Sequence, residues 1–215
     1  MKRLVIFDLD GTLLYTIDDL ANATNHALRQ LGYAPHSMAV YPMMVGNGVR
    51  KLLERALPTE ARTPEIMAAM YKEFVTYYND HLWDTTRPYT GIVSLVETLH
   101  SKGIAMAVAS NKYESAVKRL IPKFFGDGTF SAICGSVDGV PNKPDPSIVF
   151  RVLTEVPTAK ADVLYVGDSA VDVETARRAR VESVAVTWGF RSEHELRDAN
   201  PDHIIDDPAE LLSLI

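Results

Sequence analysis

The sequence has almost no cysteine, no cluster of basic residues and no long apolar run, and each absence narrows the function. Among its 215 residues the single cysteine, Cys134, cannot form a disulfide within the chain, so an oxidising compartment is not implied. The net charge is −6 and the basic residues are dispersed, which argues against a nucleic-acid or membrane partner. No stretch is apolar for long enough to cross a bilayer. Asp8 interrupts the first apolar run too early for a signal peptide, so we expect a cytoplasmic protein.

What the sequence contains is an alternation of strand and helix patterns. Short apolar runs predict buried strands at residues 4–7, 104–109, 130–134, 163–166, 184–186 and 203–205. Helical periodicity follows most of them, at residues 92–101, 113–124, 147–153, 171–179, 193–200 and 208–214. This alternation predicts an α/β protein with a doubly wound parallel sheet, a Rossmann-like core.

The alternation is interrupted once, directly after the first strand. Residues 16–84 contain no convincing strand, and their periodicity predicts helices at 17–31, 49–57 and 63–81. We therefore predict a core formed by residues 1–15 and 85–215, with residues 16–84 inserted as an all-helical cap. Thr16 and Asp19 have the spacing of a capping box at the start of the first cap helix.

The most informative stretch follows the first strand, where the chain reads Asp8, Leu9, Asp10, Gly11 and Thr12. The two carboxylates are two residues apart, so on a regular strand they point to the same face. They leave the sheet at the carboxyl end of the strand, where open α/β sheets bind their ligands. An ordinary Asp-Gly turn after a strand is the simpler alternative.

Two other predicted strands also end in polar residues. Ser110 and Asn111 follow one, and Gly167 and Asp168 follow another. Because parallel strands present their carboxyl ends along one edge, we expect these groups to converge with the first motif. Lys143 lies in a proline-rich loop whose restricted backbone can hold the lysine in place.

This collection of acids, amides, a hydroxyl and one cation matches the needs of phosphoryl transfer. Enzymes accelerate the hydrolysis of phosphate monoesters by up to ~10²¹-fold, which no single residue can supply. A carboxylate nucleophile divides the reaction into two easier steps, and a divalent cation orients the reacting groups. A lysine and backbone amides hold the remaining phosphate oxygens.

The motifs resemble those of the haloacid dehalogenase superfamily over nearly the whole chain. The first, second and third motifs correspond to D-x-D-G-T at Asp8, to Ser110-Asn111 and to Lys143, and the fourth, G-D-x-x-x-D, extends from Gly167 to Asp172. The chain is most similar to the phosphoglycolate phosphatase-like branch, in which a helical cap follows the first motif. One departure is Tyr15 at the entrance to the cap, where many relatives have an L-V-D-S or L-V-D-T pattern.

The resemblance implies a role for each motif residue. Asp8 is expected to be the nucleophile, Asp10 the general acid and base, and Lys143 a further catalytic residue. Mg²⁺ is the expected cofactor, with Asp8, Asp168 and the Asp10 carbonyl as its ligands and Asp172 as a partner of metal-bound water or of the lysine. The expected phosphate-binding and substrate-binding residues are Gly11, Thr12, Ser110 and Asn111.

The cap is expected to determine the substrate. Gly46, Asn47 and Gly48 connect two predicted cap helices, and the glycines allow backbone amides to approach a ligand. The guanidinium of Arg50, which follows, can pair with a carboxylate in bidentate fashion. We therefore predict that Asn47, Gly48 and Arg50 bind a small, anionic phosphomonoester, with 2-phosphoglycolate the best single candidate from the resemblance.

Each assignment has a structural alternative. Ser110 is also a favoured helix cap, and Asp172 can complete a capping box with Ser169. Lys143 and Arg50 can be ordinary solvated residues. Residues 46–48 can be an ordinary connection between helices.

Other functions stay open at this point. A broad-range sugar-phosphate phosphatase is the main alternative. The pattern of a phosphosugar mutase would place a histidine where this chain has Leu20, and a non-catalytic phosphate-binding regulator would usually have lost a carboxylate such as Asp10. The expected partner is a small phosphate ester, and the chain is expected to be a monomer or a homodimer.

Overall fold

The computed structural model describes residues 1–215, in which strands and helices alternate as an α/β protein. The strands are β1 (Leu4–Phe7), β2 (Leu14–Tyr15), β3 (Arg87–Pro88), β4 (Ala105–Tyr113), β5 (Ala132–Ser136), β6 (Val163–Gly167), β7 (Glu182–Val186) and β8 (His203–Ile205). The α-helices are α1 (Ile17–Gln30), α2 (Tyr41–Met44), α3 (Val49–Ala56), α4 (Pro64–Asp80), α5 (Ile92–Ser101), α6 (Glu114–Phe125), α7 (Ser147–Glu155), α8 (Ala170–Ala179) and α9 (Glu193–Asp198). Short 3₁₀ helices lie at Met38–Val40, Thr59–Ala61, Lys160–Asp162 and Pro208–Leu214.

Six of the strands form one parallel sheet in the order β5-β4-β1-β6-β7-β8. β1 is central because its four residues are all apolar and fully buried, and it pairs with β4 on one side and β6 on the other. β4 and β5 lie on one side of β1, and β6, β7 and β8 lie on the other. The connections therefore diverge at the carboxyl end of β1, which opens a crevice there. The predicted doubly wound parallel sheet is confirmed.

Alternate residues of β1 pack on opposite faces of the sheet. Leu4 and Ile6 belong to a buried cluster that includes residues of α7 and α8. Val5 and Phe7 belong to the larger cluster, which includes residues of α5 and α6 and continues into α1, α3 and α4. The helices of the insertion therefore share an apolar core with one face of the sheet.

A two-stranded ribbon connects the sheet to the inserted helices. β2 follows β1 and pairs in antiparallel fashion with β3, and α1 to α4 all lie between these two strands. The predicted capping box is wrong, because the Thr16 side chain makes no capping bond. The Asp19 carboxylate instead accepts hydrogen bonds from the backbone and hydroxyl groups of Thr85 and Thr86, just before β3.

The structure also differs from the sequence expectations at α2 and β4. α2 carries no clear periodicity and was not predicted. β4 is longer than predicted, because it continues through Ser110 and Asn111 to Tyr113 after a register shift beyond Ala109. None of the helices is long and apolar enough to span a membrane.

Candidate active site

A cluster of buried charges lies at the carboxyl end of the central strands. Asp8 follows β1, Asp168 follows β6, and Asp172 lies in the first turn of α8. Carboxylate oxygens of all three residues lie within 4.8 Å of one another. Lys143 Nζ lies 2.9 Å from Asp8 Oδ1 and 2.7 Å from Asp172 Oδ1. The cluster therefore contains three buried carboxyl groups and one buried ammonium group, which contacts two of them.

The cluster carries more negative charge than Lys143 alone can balance. Burial raises the pKa of Asp8 to about 7, although the adjacent Lys143 opposes this shift. Burial also raises the pKa of Asp168, and Asp172 and Asp8 raise it further. For Lys143, burial lowers the pKa, but the two neighbouring carboxylates outweigh that effect and hold it well above its usual value. An additional cation would relieve this repulsion.

The donors of the cluster suit a hard divalent cation. Asp8 Oδ1 is buried and makes no hydrogen bond, so its contact with Lys143 is an ion pair without hydrogen-bond geometry. Carboxylate oxygens are the ligands that divalent cations such as Mg²⁺ prefer. Both oxygens of Asp172 are already hydrogen-bonded, one to Lys143 and the other to the Ser169 hydroxyl at 2.6 Å. That pairing between side chains replaces the capping box considered for Ser169 and Asp172.

Three glycines allow the surrounding loops to close around these carboxylates. Gly11 has a φ of +88°, and a Cβ there would lie 2.3 Å from Asp168 Oδ2. A Cβ on Gly189 would lie 2.2 Å from the Asp168 Cβ, and one on Gly167 would lie 2.3 Å from that of Asp172. The close approach lets the Phe190 N–H donate to Asp168 Oδ2 at 2.7 Å, a contact that the sequence analysis missed.

Thr12 is buried beside the cluster, and its hydroxyl has no hydrogen-bond partner. Its carbonyl accepts a hydrogen bond from Trp188 Nε1 at 3.0 Å, which connects the first motif to the loop after β7. The role of Thr12 in phosphate binding stays a prediction. Its hydroxyl has no partner in the protein and is therefore available to a phosphate oxygen.

The Asp10 side chain has a separate partner, which the sequence analysis also missed. Its two oxygens accept hydrogen bonds from Lys112 Nζ at 2.9 and 3.1 Å. The same ammonium group lies 4.9 Å from the ring centroid of Tyr78 on α4. Ser110 and Lys112 are two residues apart on β4, as Asp8 and Asp10 are after β1. That spacing is the sequence signal that Lys112 lies on the same face of its strand as Ser110.

Asn111 and Ser110 are engaged by the protein itself. Asn111 Oδ1 accepts from the Lys143 backbone N–H at 2.8 Å, and Nδ2 donates to the carbonyls of Lys143 and Gly46. Ser110 Oγ accepts from the Lys112 backbone N–H at 3.2 Å. The alternative that Ser110 caps the next helix is wrong, because α6 begins later, at Glu114. The Asn111 side chain thus fixes the position of the Lys143 backbone.

Comparison with known proteins agrees with this arrangement. Residues 5–186 match the family model described as haloacid dehalogenase-like hydrolase. The chain belongs to this family. It is 36% identical to the phosphoglycolate phosphatase of Agrobacterium fabrum, over 98% of this chain and 91% of that protein. The phosphoglycolate phosphatase of Aquifex aeolicus is 32% identical, over 99% of this chain and 96% of that protein.

The fold is also similar to that of solved structures. A crystal structure from Lactobacillus delbrueckii subsp. bulgaricus has a TM-score of 0.93 and 32% identity, and covers 100% of this chain and 99% of that one. The predicted superfamily, its phosphoglycolate phosphatase-like branch and the class of phosphoric monoester hydrolase are confirmed.

In this haloacid dehalogenase-like hydrolase a cleft of about 480 Å³ separates the sheet edge from the inserted helices. Asp8, Asp10 and Lys112 lie on the sheet side, where the wall is polar. The opposite wall is mainly apolar and comes from the inserted helices, with Leu20, Val45, Leu52 and Phe74 among its residues.

The predicted cap residues differ in their relation to this cleft. Gly48 lines it, and a Cβ at this position would lie 2.9 Å from Asn142 Nδ2. Asn47 faces elsewhere, since its Oδ1 accepts from Arg55 Nη2 at 2.7 Å. Arg50 is exposed, lies over the Tyr71 ring and borders a neighbouring cavity of about 410 Å³. The structure thus brings Gly48, but neither Asn47 nor Arg50, to the cleft of Asp8 and Asp10.

Proposed function

We propose that this hydrolase is a Mg²⁺-dependent phosphatase that cleaves 2-phosphoglycolate, or a similarly small anionic phosphomonoester, through an aspartyl-phosphate intermediate. The observation that carries the proposal is the placement of Asp8 and Asp10 on the wall of one cleft, with the Lys143 ammonium group 2.9 Å from Asp8. The names of the matched relatives, phosphoglycolate phosphatases, support the choice of substrate.

Asp8, Asp168 and the backbone carbonyl of Asp10 are the groups that would hold Mg²⁺. The excess of buried carboxylates over Lys143 supports this assignment. When bound, the cation supplies positive charge that offsets the repulsion between an anionic nucleophile and an anionic phosphate.

In the first half of the reaction, an Asp8 carboxylate oxygen attacks phosphorus and forms an acyl-phosphate bond. The bond from phosphorus to the ester oxygen breaks, and Asp10 gives its proton to that oxygen as the alcohol leaves. In the proposed reaction the Lys143 ammonium group and the Thr12 hydroxyl stabilise the non-bridging oxygens, where negative charge must be neutralised. The contact of Lys143 with Asp8 and the unpartnered state of the Thr12 hydroxyl support these roles.

In the second half, the ionised Asp10 accepts a proton from water. The resulting hydroxide oxygen attacks phosphorus, the acyl-phosphate bond breaks, and inorganic phosphate leaves with Asp8 restored as a carboxylate. The apolar wall of the cleft favours this chemistry because it limits the access of bulk water.

We also propose the division into a core of residues 1–15 and 85–215 and a cap of residues 16–84, which the β2–β3 ribbon supports. The free cysteine Cys134 is compatible with the proposed cytoplasmic location.

Phosphate release from a panel of phosphomonoesters tests the proposal. We expect turnover of 2-phosphoglycolate with Mg²⁺, loss of turnover in excess chelator, and recovery when Mg²⁺ is restored. Asp8→Asn should abolish turnover, because an amide is a poor nucleophile, and should leave the thermal unfolding temperature nearly unchanged. Full activity in chelator would exclude the metal, and Asp8→Asn activity within about tenfold of wild type would exclude the covalent route. A preference for hexose phosphates would instead favour a broad-range sugar-phosphate phosphatase.

A further inference from the structure

Lys112 is the one cationic side chain on the wall of the cleft that contains Asp8 and Asp10. Its side chain is 3% exposed and its ammonium group donates two hydrogen bonds, both to Asp10. A lysine ammonium group has three N–H donors, so one donor is left without a hydrogen-bond partner in the protein. Lys112 therefore has both the charge and the free donor needed to bind an anionic group in the cleft.

Tyr78 lines the same cleft, its ring centroid lies 4.9 Å from Lys112 Nζ, and it provides a second donor without a partner. It lines the cleft from α4, is fully buried, and its hydroxyl makes no hydrogen bond. Burial raises the pKa of this hydroxyl, and the nearby Asp10 and Asp19 raise it further, so it stays protonated. A buried hydroxyl without a partner is costly, which points to a ligand that accepts from it.

The distance from the reacting atoms suits a short substrate. A general acid must lie within about 3.2 Å of the ester oxygen it protonates. Because Lys112 Nζ lies 2.9 Å from Asp10 Oδ1, it lies within about 6 Å of an ester oxygen held by Asp10. A carboxylate on the carbon that carries the ester oxygen extends about 3 Å from that oxygen, which is enough to come within hydrogen-bond reach of Nζ.

We infer that Lys112 and the Tyr78 hydroxyl bind the carboxylate of the substrate and thereby select a short phosphorylated acid over a neutral ester. The inference rests on the proposed function, and it assigns to this pair the role that the sequence favoured for Arg50. The rest of the opposite wall supports it, because the apolar side chains there offer no hydrogen bond to a carboxylate.

The decisive measurement is a ratio of kcat/KM values, that for 2-phosphoglycolate divided by that for ethyl phosphate. Both esters have two carbons and both require Asp8 and Asp10, so damage to the catalytic groups largely cancels. We expect wild type to prefer 2-phosphoglycolate. Lys112→Met should lower the ratio by about 10- to 100-fold, and Tyr78→Phe by about fivefold or more.

Two variants on α4 serve as matched controls, and Arg50→Met tests the rival assignment. Lys72→Met removes an exposed lysine, and Tyr77→Phe removes a hydroxyl outside the cleft, so both should keep the wild-type ratio. If Lys112→Met fails to fold, Tyr78→Phe tests the inference by itself. This variant should fold, since the Tyr78 hydroxyl makes no hydrogen bond in the protein.

An unchanged ratio in Tyr78→Phe and in a folded Lys112→Met would overturn the inference, as would a loss of preference confined to Arg50→Met. Equal wild-type activity on the two esters would also overturn it, while the phosphatase proposal would stand. Failure of the proposed function would look different, because wild type would then hydrolyse no phosphomonoester of the panel in the presence of Mg²⁺.

Discussion

At the scale of single residues, Asp8 and Asp10 show how two carboxylates of one motif acquire different environments. Asp8 is buried beside Lys143 and the other carboxylates of the cluster, and its pKa rises to about 7. Asp10 is directed to the cleft and both its oxygens are bonded to Lys112. Different environments allow adjacent carboxylates to take different roles in one reaction.

Asp10→Asn separates the role of acid from other roles. We expect kcat to fall by about 10²–10⁴-fold with an alkyl phosphate such as 2-phosphoglycolate, because an amide cannot protonate the leaving oxygen. The loss should be smaller with nitrophenyl phosphate, whose leaving group needs little protonation. Steady-state kinetics on both esters measures the difference. Equal losses would contradict the assignment of Asp10 as the acid, though a role as base in the second half would survive.

At the scale of elements, the first turn of α1 is fastened to the segment that precedes β3. Asp19 is buried and accepts hydrogen bonds from the backbone N–H groups of Thr85 and Thr86 and from both hydroxyls. This carboxylate joins the two chain segments by which the inserted helices leave and rejoin the sheet. It therefore adds to the β2–β3 pairing in fixing their relative position.

Asp19→Ala should lower the free energy of unfolding by about 2–4 kcal/mol, because the buried Thr86 donors lose a charged acceptor. Asp18→Ala is the matched control, since Asp18 lies in the same helical turn and accepts only from the Tyr15 hydroxyl, at 3.1 Å. Asp18→Ala should lower the free energy of unfolding by no more than about 1 kcal/mol. Urea titrations of the two variants test the difference, and equal destabilisation would point to a general effect of charge at the start of α1.

At the scale of the whole molecule, contacts across the cleft hold the inserted helices against the sheet. Arg191, in the loop after β7, donates to the carbonyls of Pro42 and Val45. Asn111 donates to Gly46 from the same side. Because these bonds reach the segment that borders the cleft, they couple the shape of the cleft to the position of the helices.

Arg191→Met should weaken this docking and lower kcat/KM for 2-phosphoglycolate by about tenfold, mainly through KM, since a smaller fraction of molecules would have a closed cleft. Hydrogen exchange at residues 42–48 should become faster. Arg197→Met is the control, because Arg197 is exposed and pairs only with Glu193 of its own helix. If exchange at residues 42–48 matched that of the control variant, Arg191 would have no part in docking.

The sequence by itself determined the fold class, the family and the main members of the charged cluster. Apolar runs and helical periodicity are properties of contiguous residues, and they located the strands of the sheet and most of the helices to within a few residues. The motif residues Asp8 and Asp168 lie together because parallel strands end at one edge, and Lys143 reaches Asp8 from the loop between β5 and α7. Where local signals competed, at Thr16 and Asp19, the expectation was wrong.

Only the tertiary structure decided which side chains meet at the cleft. Lys112 and Asp10 are 102 residues apart in the chain, and Asn111 and Gly46 are 65 apart. No local pattern specifies such pairs, because the first depends on the pairing of β4 with β1 and the second on how the inserted helices dock on the sheet. The same docking leaves Arg50 outside the cleft and places Tyr78 on its wall, since the orientation of a helix is set by the packing of its apolar face.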